Sequence, residues 1–254
     1  MIYMAFIQFH FFSEALGMQT EAYVIMPQRK TSGQIGVDTQ SSGGKHKCLY
    51  LLHGLSDDHT IWMRRTSIER YADKYGICVV MPCAHRSFYC NMSCGLGYYD
   101  YISDELPRVI CEFFNVSDKR EDNFVAGLSM GGYGALKLAL RRPERFCAAA
   151  GLSSLTDIRR HGRDGIASAI FGNDAQIPDE DDLFCLAERT AQSANKPALF
   201  MAVGQEDFLY VENTELRDKL TELDYDLKYI EEHGTHNWEF WDKHIQGALE
   251  WMFG

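Results

Sequence analysis

Long apolar runs are missing from this 254-residue chain. None approaches the roughly 18 residues that a membrane-crossing helix needs. The first twelve residues, MIYMAFIQFHFF, are apolar but carry no Lys or Arg, and no small-residue cleavage site follows them. They are therefore not read as a secretory signal. Positive charge is in short supply, with 25 Lys and Arg against 36 Asp and Glu and a net charge of −11. That balance opposes polyanionic partners, both nucleic acid and anionic membrane. Repeats of solenoid length are absent as well.

The paired C-x₂-C spacing of a zinc site does not occur among the eight cysteines. Cys48, Cys78 and Cys147 lie in strand-like runs, and Cys111 and Cys185 in helix-like ones. These five are read as small buried hydrophobes in a reducing compartment, which points to the cytoplasm. Cys83, Cys90 and Cys94 share one loop-like stretch, and their spacing gives no reason to expect a metal there.

What is present is an alternation. MAFIQFHFF and TEAYVIMP are rich in aromatic and β-branched residues and read as a hairpin. A Gly/Ser-rich polar loop follows, up to Lys47. Short apolar runs then come in turn: CLYLLH, ICVVMP, NFVAGL, RFCAAAGLS, PALFMAVG and YDLKYIEE. Between them lie helix-like segments, RRTSIERYADKYG, YDYISDELPRVICEFF, GGYGALKLALRRP and NTELRDKLTELD, and WEFWDKHIQGALEWMF closes the chain. Pro107 falls inside the second of these, so that helix either starts near Asp104 or is kinked. The pattern predicts βαβ units, a mostly parallel central sheet and helices on both faces. One domain spanning 1–254 is expected, with residues 153–196 as a cap-like excursion and the acidic run Asp179–Asp182 as a solvated face.

Gly-Leu-Ser occurs at 54–56, 127–129 and 151–153, each time after an apolar run. In wound α/β sheets such strand ends gather ligand chemistry. Only the middle copy continues as G-x-S-x-G, in GLSMG. Between a strand and a helix, that pentapeptide is a nucleophile elbow with Ser129 at its tip. A serine needs a base, and in this fold the acid and then the histidine follow it in the chain. Downstream histidines are His161, His233, His236 and His244. His161 lies in the irregular excursion and His244 inside a helix. His233 and His236 share the loop HGTHNW, where His236 is better placed to turn back over the serine. Glu206 and Asp207, in VGQEDFLY, are the acids, and the shorter Asp207 has fewer rotamers to fix. Oxyanion donors are expected at the Met130 amide, next to the nucleophile, and at the Leu55 amide, where Gly54 turns the chain. Trp62 is read either as a pocket wall or as an aromatic on the sheet. Phe88, Tyr89, Tyr98 and Tyr99 carry the same pair of readings.

Taken together, YLLHGLSDDHTIWMRRTSIERYA, VVMP, GYYDYISDELPRVICEFF, FVAGLSMGGYGALKLAL, VGQEDFLYVEN and GTHNWEFWDKHI resemble the esterase D-type α/β-hydrolases, and among them the bacterial tributyrin esterases. The likeness fades at 27–46 and 153–196. It implies an α/β-hydrolase fold and a Ser129–His236–Asp207 triad, with His236 taken over His233. It also implies hydrolysis of short-chain acyl esters without metal or organic cofactor. The partner implied is a small-molecule ester, and a homo-oligomer is compatible with the sequence. Rival expectations are an acetyl or feruloyl polysaccharide esterase, an S-formylglutathione hydrolase-type thioesterase, and a hydrolase-fold binding protein without activity.

Overall fold

The computed structural model describes residues 4–28, 44–161, 165–172 and 176–254. Most of the polar loop before Lys47 lies outside them. Eight strands form one sheet: β1 (Met4–Ser13), β2 (Met18–Pro27), β3 (Cys48–Leu52), β4 (Cys78–Pro82), β5 (Asn123–Leu128), β6 (Ala148–Leu152), β7 (Ala198–Gly204) and β8 (Leu227–Glu232). Their order is β1-β2-β4-β3-β5-β6-β7-β8. The β1–β2 hairpin joins β4 in antiparallel fashion, and β4, β3, β5, β6, β7 and β8 run parallel.

The continuous apolar runs are explained by burial on both faces. In β3, Cys48, Tyr50 and Leu52 point into one core while Leu49 and Leu51 point into the other. Helices Ile61–Arg65, Ile68–Tyr75 and Trp238–Phe253 cover the second core. Helices Leu106–Phe113, Met130–Arg141, Leu183–Thr190 and Tyr210–Glu222 cover the first. Among the described residues, no helix is long and apolar enough to cross a membrane.

One expectation is met and another corrected. Pro107 falls in the first turn of the α-helix Leu106–Phe113, in line with a start near Asp104. Helical backbone runs from Tyr98, and the Tyr101–Glu105 stretch before the proline is π-helical, with Leu106 N–H donating to the Tyr101 carbonyl five residues back. The wider turn makes room for a ring that has no N–H to give. The acidic run is only half solvated. Asp179 and Glu180 are exposed, but Asp181 and Asp182 are buried. Asp182 caps helix Leu183–Thr190 by accepting from Phe184 and Cys185 N–H. Asp181 accepts from the fully buried Lys137 ammonium at 2.9 Å. The excursion is thus helical in part and is fastened to the helix that follows β5.

Candidate active site

Ser129 sits between β5 and helix Met130–Arg141 with φ 52° and ψ −117°. A non-glycine residue pays roughly 1–3 kcal/mol for such a backbone. Hydrogen bonds on both sides hold it: Ser129 N–H donates to Leu152 O at 2.9 Å, and Leu155 N–H donates to Ser129 O at 3.2 Å. The flanking glycines are steric requirements. A Cβ on Gly127 would lie 2.3 Å from the Gly131 carbonyl oxygen, and one on Gly131 would lie 2.4 Å from that of Leu52. The helix therefore starts in direct contact with the ends of β3 and β5, and its first N–H groups have no intrahelical partner.

Ser129 opens onto a cavity of ≈ 150 Å³. Leu55 and Met130 line it beside the serine. Phe88, Leu155, Ile158, Ala167, Ile170, Phe171 and Leu209 give it apolar walls, and His161 and Phe208 complete the lining. Both expected oxyanion residues thus share a cavity with the nucleophile candidate.

A histidine that sequence reasoning passed over shapes the Leu55 loop. His53 is buried, donates from Nδ1 to Gly54 O at 2.7 Å and accepts at Nε2 from Ala84 N–H at 3.0 Å. These partners fix one neutral tautomer. Burial, the dominant cause, pushes its pKa down to about 4. The Tyr89 hydroxyl donates to His53 O at 2.9 Å. Its position inside H-G-L was the available signal.

Asp207 follows β7, and its side chain is fully buried. Leu209 N–H donates to its Oδ1 at 2.9 Å. His236 Nδ1 meets Oδ2 at 2.9 Å and Oδ1 at 3.1 Å. The carboxylate sets the tautomer: Nδ1 carries the proton and Nε2 is left to accept one. The imidazole is held between Phe208, at 4.6 Å, and the edge of Trp241, at 4.8 Å. Phe208 also lines the Ser129 cavity, so one aromatic ring lies against both that cavity and His236. The two loops touch at backbone level, since a Cβ on Gly204 would lie 2.1 Å from Gly234 O. The residues passed over for these roles pair with each other, His233 Nδ1 meeting Glu206 Oε1 at 2.8 Å in an exposed contact.

Other readings divide. Trp62 is not among the residues that line the Ser129 cavity. It is buried in the core opposite the excursion, donates from Nε1 to Leu52 O at 3.0 Å and meets Trp238 edge-on. Phe88 lines the cavity, whereas Tyr89, Tyr98 and Tyr99 are core residues. His161, set aside with the excursion, lines the cavity and pairs through Nε2 with Glu212 Oε2 at 2.7 Å. Burial raises the Glu212 carboxyl above its ordinary range.

Comparison with known proteins now adds ancestry. The sequence profile of the Esterase family matches residues 13–252. An acetyl esterase of Caldicellulosiruptor saccharolyticus is 32% identical over 98% of this chain and 98% of its own. A fluorophosphonate-binding serine hydrolase of Staphylococcus aureus, solved with substrate bound, superposes with a TM-score of 0.88 at 35% identity and 99% coverage of both chains. An S-formylglutathione hydrolase of the same organism gives 0.86 at 36% identity, covering 99% of this chain and all of that one. The sheet order, the strained serine turn and these likenesses agree on one lineage, and the chain belongs to the Esterase family, a carboxylic ester hydrolase with the α/β-hydrolase fold.

Proposed function

We propose that the protein is a serine esterase for short acyl chains, working through Ser129, His236 and Asp207. Ser129 Oγ attacks the ester carbonyl while His236 Nε2 takes its proton. The tetrahedral oxyanion accepts from the Met130 and Leu55 N–H groups, an interaction worth roughly 10²–10³ in rate per donor. Asp207 holds the tautomer and stabilises the imidazolium. The carbon–oxygen bond to the alcohol then breaks, and the alcohol leaves with the proton from His236. Water, deprotonated by the same nitrogen, attacks the acyl-enzyme, releases the acid and returns the proton to Ser129.

What supports this reading is the strained Ser129 turn on a cavity whose lining residue Phe208 packs against His236, itself paired with Asp207. The acyl preference rests on the cavity: ≈ 150 Å³ with mostly apolar walls is the scale that accepts a benzene-sized guest. Acetyl to butyryl groups fit such a space, and the relative named an acetyl esterase supports the short end of that range. Fluorophosphonate should label the protein and fail to label Ser129→Ala. A panel of nitrophenyl esters should peak at or below the butyrate, and a peak at long chains would overturn the acyl assignment.

Thioester hydrolysis is the second reading, favoured by likeness to the S-formylglutathione hydrolase. The net charge of −11 works against an anionic glutathione conjugate. Turnover of S-formylglutathione above that of butyrate esters would reverse the assignment.

A further inference from the structure

Away from Ser129, three segments bring metal-ligating side chains together. Glu21 lies on β2, His59 in the loop before helix Ile61–Arg65, and Cys83 directly after β4. Their ligand atoms all lie within 4.8 Å of one another. We propose that Glu21, His59 and Cys83 form a binding site for one borderline-soft divalent metal ion of the zinc class.

The donor set is the first argument. One imidazole, one thiol and one carboxylate are the ligands zinc takes, and three protein ligands with water in the fourth position is a recurrent zinc arrangement. Bonds of about 2.0–2.3 Å place tetrahedral ligands roughly 3.3–3.8 Å apart, so atoms all within 4.8 Å of one another need to close by at most about 1.5 Å. Glu21 already stands 3.4 Å from His59 Nδ1 and, half-exposed on a flexible side chain, can adjust toward the buried His59 and Cys83.

An unpartnered atom is the second argument. His59 is 93% buried by its 7% exposure, yet its Nδ1 has no hydrogen bond among the described residues. It faces Glu21 Oε1 at 3.4 Å without hydrogen-bond geometry. A buried nitrogen left in that state costs about 1–3 kcal/mol, and a metal bond would satisfy it.

The surroundings are fixed as an outer shell would be. Cys83 N–H donates to Glu21 O at 3.0 Å, which sets the spacing of two ligands. Tyr23 meets the His59 ring edge-on at 4.6 Å. His10 Nδ1 stands 3.6 Å from the second Glu21 oxygen. His85 approaches the Cys83 sulfur at 3.8 Å while its Nδ1 meets the Tyr98 hydroxyl at 3.0 Å. A bound metal would displace the Cys83 thiol proton. The ligands come from separate elements, and for that reason no sequence spacing announces them.

The test uses the intact chain, stripped of metal with a chelator and kept reduced, and titrates it with cobalt(II). The expected result is one equivalent bound with a thiolate-to-cobalt charge-transfer band and the intense visible bands of a four-coordinate ion. Cys83→Ser should lose the charge-transfer band, while Cys94→Ser, at the exposed cysteine, should keep it. His59→Gln and Glu21→Gln should each weaken affinity at least about tenfold. Glu21→Gln changes a half-exposed residue and keeps the test valid if a buried variant fails to fold. Absence of the band in the parent protein, its survival in Cys83→Ser, or its loss in Cys94→Ser would overturn the proposal.

Discussion

Ser129 and Ser153 end neighbouring strands in the same register, after Gly127-Leu128 and Gly151-Leu152, which pair across β5 and β6. Both adopt left-handed backbone, with φ of 52° and 44°. Both donate their N–H to the next strand, to Leu152 O and Ala202 O. Yet Ser129 reaches a cavity and Ser153 is sealed, its hydroxyl buried with no hydrogen-bond partner among the described residues. What differs is the continuation. After Ser129 a helix begins at once, against the backbone of β3 and β5. After Ser153 the chain wanders into the excursion. Strained backbone alone therefore does not separate the two serines; the helix N-terminus immediately behind Ser129, and the cavity before it, do.

The largest expected effect breaks the pair apart. Ser129→Ala should lower kcat for a butyrate ester by at least about 10⁴-fold. Ser153→Ala should stay within about threefold of the parent and lose no stability, because it removes an unsatisfied hydroxyl. Next comes the base. Asp207→Asn should cost about 10³–10⁴ in kcat by releasing the His236 tautomer. His233→Ala, in the exposed neighbouring pair, should change kcat by less than about threefold. Steady-state kinetics on purified, folded variants reads both.

A third comparison concerns the glycines. Gly131→Ala would press a Cβ to 2.4 Å from the rigid Leu52 carbonyl. It should destabilise the fold by roughly 2–4 kcal/mol and reduce activity. In Gly151→Ala the nearest obstacles are side-chain atoms, Ser154 Oγ at 2.3 Å and Leu136 at 3.1 Å. They can move, so its melting temperature should fall less. Equal losses would refute the steric account.

The smallest effect is a slope against pH. The folded-state pKa of His53 is depressed to about 4, so between that value and the ordinary histidine pKa of about 6.5 the unfolded chain binds the extra proton. Its contribution is complete above about 6.5 and is lost as pH falls toward 4, amounting to about 3 kcal/mol at most. The melting temperature should fall less steeply over that window in His53→Gln than in the parent.

Much of this was legible in the sequence because it is local. Runs such as CLYLL and FMAVG are apolar on both faces and can be little else than central strands, and G-x-S-x-G carries its own steric logic. Asp207 and His236 were chosen for reach and position, and the structure joins them. Less legible was whatever depends on orientation. Trp62 looks the same in sequence whether it faces a pocket or the opposite core. Asp181 reads as solvent-facing until Lys137, far away in the chain, is found beside it. His53 and His161 were missed for the same reason, since their partners lie across the fold.

The Lys137–Asp181 contact bears on how this enzyme could diverge. Lys137 lies two turns beyond Ser129 on one helix, and it also donates to the carbonyl of Phe88, a residue of the cavity wall. One buried cation thus ties the helix that begins behind Ser129 to Phe88 and to Asp181, and removing Asp181 would leave that charge unpaired at a cost. Substitutions at Ile158, Ile170 and Phe171 should reshape the cavity and leave that tie intact.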